Sequence, residues 1–369
     1  MIRTVKKAAA AVLAALSVFL FTSCGNDTSP VVMELDGVRV TSAMYHYWAS
    51  SAKGQYIYSY EDVSNTDECW SGELKDGMTV AQYFDAVTLE SVKSNLVAMK
   101  LFEDYGLKIT QAEKKSVETY VSDLITEYAD GSEKMMNTVL SEYGINTDIL
   151  KSIYLDETKS TKVYDYLYGE GGKEALSDGD YEKYYSENYV RFQLIYINNA
   201  YQYVTDENGN NVTDDNGIYK TEPLDSAVKA EKDKKVAEVE KKLAEGEDFY
   251  TLYDEYSELK NYENGYYYAV NEAYGDEVFY KLTAAAQKAE IGESVKVETE
   301  SGTCFILKLE LVGGAWNDNA NSDFFDGFTD TVKEAAYREK LRGYFDKITV
   351  DEEAIKEFSV AKVTPAYSF

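Results

Sequence analysis

The spacing of apolar residues changes period partway along this 369-residue chain, and that change limits the folds open to it. Between Thr79 and Tyr168 apolar residues recur three and four positions apart. They run Val80, Phe84, Val87, then Leu89, Val92, Leu96, Met99, and later Val117, Tyr120, Val121, Leu124, Tyr128. Such spacing gives each of several helices one apolar stripe. Thr79 opens the first of them, which ends near Tyr105-Gly106, and Thr110-Gln111-Ala112-Glu113 reads as a capping box for the next. Two further helices are expected at about 133–143 and 146–168, and Gly169-Glu170-Gly171-Gly172 breaks the pattern. After a short helix at 177–187, residues 190–198 (VRFQLIYIN) read as a strand, as do 266–270, 294–299 and 303–312; helices are expected at 225–245 and 248–256. The second half is thus a β-α-α-β-α-β-β unit, and the fold class is α+β. A last helix at 322–347 leads into Ile348-Thr349-Val350 and a charged tail. A helix placed after the strand-rich unit implies that the chain returns to its first domain and that the second is an insert.

The chain opens differently. Arg3, Lys6 and Lys7 precede an apolar run at 8–21 that has the length of a secretory core segment and falls short of a bilayer span. Phe21-Thr22-Ser23-Cys24 resembles a lipobox, which implies that Cys24 is diacylated and becomes the new N-terminus. Gly25-Asn26-Asp27-Thr28-Ser29-Pro30 reads as a flexible tether. Residues 32–40 read as two short strands around an Asp36-Gly37 turn, and Thr41-Ser42 caps a helix with Met44, Tyr45, Tyr47 and Trp48. The Tyr- and Ser-rich stretch up to about Gly77 has no regular period. The expected division is a signal at 1–23, a tether at 24–31, a helical domain at 32–188, a sheet domain at 189–315 and a returning segment at 316–369. The expected location is outside the cytoplasm, held to the membrane by lipid.

Composition narrows the partners. With 66 acidic against 37 basic residues, a net charge of −29, the surface repels nucleic acid and anionic headgroups. Membrane attachment must then come from acyl chains. Tyrosine outnumbers phenylalanine 34 to 14, which suits half-buried positions that need both area and a polar tip. Cys69 and Cys304 fall in different expected domains, so no bridge joins them, and Cys304 lies in the apolar run Thr303-Cys304-Phe305-Ile306-Leu307 as a core residue. No cysteine or histidine spacing suits a metal, and no cofactor is expected. The Asp- and Asn-rich segment 206–217 fails as a calcium loop, because Asn211 stands where the turn glycine belongs and Gly217 where the bidentate glutamate belongs. It reads as a surface hairpin turning at Asn208-Gly209.

Two segments resemble a known family. The opening VMELDGVRVTSAMYHYW of residues 32–58 resembles the start of the chaperone domain of SurA- and PrsA-type foldases. Residues 189–312 resemble a parvulin peptidyl-prolyl isomerase domain. There Val239, Leu243, Gly246, Phe249, Leu252, Tyr256 and Ser257 follow the parvulin run, and Ile291-Gly292-Glu293-Ser294-Val295 precedes Gly302 and an apolar strand. The resemblance implies a helical chaperone domain with an inserted FKBP-like antiparallel-sheet domain. It implies a membrane-anchored foldase for newly exported, unfolded polypeptides. It also implies an isomerase pocket built from Leu194, Phe249, Tyr256, Ser257, Tyr266, Cys304 and Phe305.

The sequence departs from that family where the chemistry would lie. Leu194 (or Gln193, with a one-residue slip) stands at the first parvulin histidine, and Cys304 or Phe305 at the second. After Ser257 only Glu258 and Asn264-Gly265-Tyr266-Tyr267 are available for the usual polar loop. The chain's one histidine, His46, lies in the first helix among Tyr45, Tyr47 and Trp48, and reads as a helix packing residue. Turning an X–Pro bond requires no nucleophile. It requires a grip on the ring and hydrogen bonds that favour the twisted amide against a barrier of about 18–20 kcal/mol. Leucine and phenylalanine offer no such bonds, so weak activity or none is expected. Two other functions remain open: an active isomerase, and a solute-binding lipoprotein, which needs two lobes of parallel sheet. Hydrolase chemistry finds no Ser/His or Cys/His pair beyond His46.

Overall fold

The computed structural model describes residues 27–60, 63–75, 77–214, 217–260, 262, 264–270 and 277–366. The expected export signal and Cys24 lie outside these residues. The chain is α+β with antiparallel sheets, as the change of period predicted. It forms two compact units, one of residues up to Ala175 together with those from Glu334 on, the other Leu176–Lys333.

The first unit begins with strands β1 (Val31–Leu35) and β2 (Val38–Thr41), joined at Asp36-Gly37, where both residues take positive φ. Part of the expected tether is ordered against them: Thr41 Oγ1 donates to Asp27 Oδ2 at 2.5 Å, and Ser42 N donates to Pro30 O at 2.7 Å. Helix α1 (Ser42–Ser59) follows, capped by Thr41. The segment without sequence period holds a short helix, α2 (Asp67–Ser71), and a two-stranded ribbon of β3 (Glu73–Lys75) and β4 (Met78–Thr79). Helices α3 (Val80–Asp104) and α4 (Gln111–Ala129) both start in capping boxes, Thr79 with Gln82 and Thr110 with Glu113. Helices α5 (Glu133–Leu140) and α6 (Thr147–Tyr168) complete the bundle.

The second unit starts at helix α7 (Asp178–Asn188), which the sequence division had left with the helical half. The reason is burial: Tyr185 of α7 is enclosed with Tyr189, Tyr267, Phe325 and Phe328, a cluster the chain assembles only once the sheet has formed. The sheet has the order β8-β5-β10-β9, every pair antiparallel, from β5 (Tyr189–Ile197), β8 (Tyr266–Ala269), β9 (Ser294–Thr299) and β10 (Gly302–Leu309). A side ribbon pairs β6 (Tyr201–Tyr203) with β7 (Thr221–Pro223). Its connection makes two turns where the sequence suggested one. Asp206 Oδ1 accepts from the amides of Asn208 and Asn210, and Asp214 Oδ1 accepts from Ile218 N. Helices α8 (Ser226–Ala244) and α9 (Phe249–Tyr256) lie against one sheet face and α10 (Glu277–Lys288) against the other.

The last long helix, α11 (Phe328–Arg342), is shorter than the expected 322–347. Residues 319–324 form 3₁₀ turns instead, and Gly327, at φ +67°, separates them from the helix. In the first unit β11 (Thr349–Val350) adds to the edge of β1, pairing Val350 with Met33. A short helix, α12 (Glu352–Ile355), leads to a tail whose Val360 and Val363 are buried.

Candidate functional site

The sheet of the second unit is the scaffold on which the seven candidate pocket residues sit, and strand alternation decides which of them meet. On β5 the even positions Val190, Phe192 and Leu194 point to one face, and Ile195 and Ile197 to the other. In β10, Ile306 lies opposite Leu194 and Phe305 opposite Ile195. The expected pocket therefore divides. Leu194, Tyr266 and Cys304 pack together on the α10 face with Leu282, Val297 and Ile306. Phe249, Tyr256 and Phe305 pack on the opposite face, against α8 and α9. The single pocket of seven is thus corrected to a group of three. Of the two residues that could stand at the second histidine position, Cys304 shares the face of Leu194 and Phe305 does not. Consecutive residues of a strand cannot share a face.

Ser257 belongs to neither group as a wall. It ends α9, where its Oγ donates to Leu259 O at 2.6 Å and accepts from Tyr196 N at 3.1 Å. The hydroxyl ties the turn after α9 to the central strand. Gln193, the alternative to Leu194, points its amide along the sheet: Nε2 donates to Tyr262 O at 3.2 Å and Oε1 accepts from Leu194 N at 2.9 Å.

The Leu194 face is a closed aromatic slab. Leu194 is 5% exposed and Cys304 1%. Phe192 stacks on Tyr266 and Tyr268 at 6.1 and 5.7 Å, and Tyr268 meets Phe279 of α10 at 5.0 Å. Phe324, delivered by the 3₁₀ turns, lies 4.6 Å from Tyr262 and 6.0 Å from Tyr266. Tyr262 OH donates to Asp323 Oδ2 at 3.1 Å and so holds that segment down. Sequence reasoning missed Tyr268, Phe279 and Phe324. The run Tyr266-Tyr267-Tyr268 offered a signal for the first, since alternation puts Tyr268 on the face of Tyr266. Beside the slab a cleft of about 530 Å³ opens between α10 and the edge strand β9, lined among others by Tyr280, Ala284, Ala285 and Val295.

The groups on this face stay neutral. Burial pushes the Cys304 thiol up to about 12, so it is neither a thiolate nucleophile nor a general base at neutral pH. Burial likewise pushes the Tyr266 phenol up to about 12, and Tyr196 OH is occupied by Ser301 O at 2.6 Å. The face is filled by its own side chains and carries no imidazole. His46 does not supply one. In the first unit its ring stacks on Phe358 at 5.2 Å, and burial lowers its pKa, which keeps it neutral. Gly144 is packed so close that a Cβ there would stand 2.6 Å from His46 Nδ1.

No protein-family profile matches the chain, and no curated protein matches it. Solved structures give loose likenesses. PrsA from Bacillus subtilis is 20% identical with a TM-score of 0.23, over 79% of this chain and 98% of that one. The peptidylprolyl isomerase PrsA from Bacillus anthracis is 17% identical with a TM-score of 0.27, over 70% and 95%. The SurA-like chaperones PEB4 and Cj1289 of Campylobacter jejuni give 9%, 0.21, 88% and 100%. Scores this low assign the chain neither a family nor an activity.

Proposed function

We propose that this protein is an exported foldase or holdase for unfolded polypeptides, anchored to the membrane through a lipidated Cys24, whose second unit is a degenerate parvulin-type isomerase domain. The observation that carries the reading is the chemistry of the Leu194 face. A leucine and a protonated thiol stand where the parvulin resemblance calls for imidazoles, on a sheet with the strand and helix order that the resemblance implies. This face is filled by its own side chains, so an apolar segment is taken up beside it, in the cleft between α10 and β9. Such uptake does little for a twisted amide, which requires donors aimed at the nitrogen and carbonyl of the turning bond. Binding without rotation is the outcome. The helices of the first unit, α1, α3, α4 and α6, supply the surface for the rest of the client. Among the described residues no helix is long and apolar enough to cross a membrane, which is compatible with attachment by acyl chains.

The second reading, an active isomerase, draws on the phenols of Tyr196, Tyr266 and Tyr268, which share the Leu194 face. A solute-binding lipoprotein needs parallel sheets, whereas every named pair of described strands is antiparallel. Two measurements test the proposal. The chain at several-fold excess suppresses light scattering by an unfolded exported protein, and unchanged scattering refutes the chaperone reading. It leaves the cis-to-trans rate of a short proline peptide at the uncatalysed value, and clear acceleration replaces the degenerate domain with an active one.

A further inference from the structure

Within the first unit, α4 and α6 enclose a cleft of about 500 Å³ whose walls combine aromatic rings with a carboxylate, Glu157, that no ion pair engages among the described residues. Tyr120 of α4 and Tyr154 of α6 meet edge to face, their centroids 5.0 Å apart. The Tyr154 hydroxyl bonds to those of Tyr120 and of Tyr47 from α1, so the two rings are held from behind. Tyr120 remains 48% exposed, its side chain open to the cleft. Val117 supplies an apolar floor and Glu157 the charge.

Cation pairing around the cleft leaves Glu157 out. Lys162 bonds to Glu113 at 2.7 Å, and Lys159 bonds to Asp156 at 2.6 Å. Among the described residues no lysine or arginine forms an ion pair with Glu157. Surrounding protein, and then the neighbouring Asp156, push its carboxyl pKa up, while the side chain itself stays exposed and within reach of a ligand. A carboxylate beside the faces of two tyrosines is complementary to one kind of group: a cation with an apolar stem, which gains ion pairing and cation–π attraction together.

We propose that this cleft binds an arginine or lysine side chain of an extended polypeptide, with the guanidinium or ammonium at Glu157 and the stem laid along the exposed ring of Tyr120, which Tyr154 braces. The assignment rests on the polypeptide-binding reading above and gives it a chemical preference. In a chain of net charge −29, long-range attraction brings basic segments near, and the cleft gives one of them a seat.

The test uses the full chain and two labelled, unstructured peptides that differ at one position, arginine in one and its neutral isostere citrulline in the other. Fluorescence anisotropy is expected to give at least tenfold tighter binding of the arginine peptide. Glu157→Gln is expected to reduce that ratio to below twofold with an unchanged thermal unfolding curve, and Tyr120→Ala to reduce it in part. Equal binding of the two peptides by the unaltered chain overturns the proposal, as does a tenfold ratio that persists in Glu157→Gln. Scattering assays on the same preparations keep the two ideas separate. Suppression of aggregation without an arginine preference removes the cleft assignment alone, and an arginine preference without suppression removes the foldase reading alone.

Discussion

Replacing Gly54 by alanine sets two rules against each other. Gly54 lies inside α1, where alanine ordinarily adds about 1 kcal/mol of stability through helix propensity. The tertiary structure predicts the opposite sign. A Cβ built at Gly54 stands 1.9 Å from Ala366 O and 2.7 Å from its carbonyl carbon. Ordinary contact begins near 3.4 Å, so the tail must retreat by about 1.5 Å. That movement breaks the bond from Ala366 N to Ser50 O, now 2.9 Å, at a cost of about 1 kcal/mol. It also pulls on the bond from Lys53 Nζ to Val363 O, 2.8 Å long, in which a buried ammonium is the donor; such a bond contributes about 1.5–3 kcal/mol. Partial loss of both, less the helix gain, leaves a net destabilisation of about 1–3 kcal/mol. Urea unfolding of Gly54→Ala followed by tryptophan fluorescence reads this directly, because Trp70 lies beside Lys53, with Nζ 5.2 Å from the ring centroid. The midpoint falls while the slope stays constant. A variant as stable as the parent, or more stable, refutes the docking of the tail on α1.

Two further predictions concern Cys304 and Ser257 of the second unit. Alkylation at pH 8 under native conditions modifies Cys69 and spares Cys304, because a thiol with its pKa at about 12 is ionised in only about one molecule in ten thousand at that pH, and it is buried besides; peptide mass spectrometry checks this, and rapid native labelling of Cys304 contradicts the closed slab. Ser257→Ala strands the amide of Tyr196 and costs about 1–3 kcal/mol, read as a lowered urea midpoint, whereas a cost below about 0.5 kcal/mol means that the hydroxyl is no tie.

Much of the local architecture was legible in the chain. Thr110 and Glu113 carry their capping box within four residues, Asp36-Gly37 turns a hairpin, and the dense apolar run around Phe192 and Ile195 makes a central strand. Each of these depends on neighbours a few positions away, so sequence by itself determined the α+β class, the order of strands and helices in the second unit, and the lack of any imidazole there. It did not determine which residues meet. Phe305 and Cys304 are adjacent in sequence and lie on opposite faces, and only the register of β10 on β5, which sets Cys304 opposite Tyr196 and Ile306 opposite Leu194, put Cys304 on Leu194's face. The start of α11 was misread because Phe324 and Phe325, apolar residues apt for a helix stripe, are claimed by aromatic clusters that include Tyr185 and Tyr266. Val350 on Met33, and Ala366 on Gly54, join positions about three hundred residues apart. Contacts of that separation depend on where the whole chain has gone, so tertiary structure alone decided them, and with them the composition of the Leu194 face and the carboxylate left unpaired at Glu157.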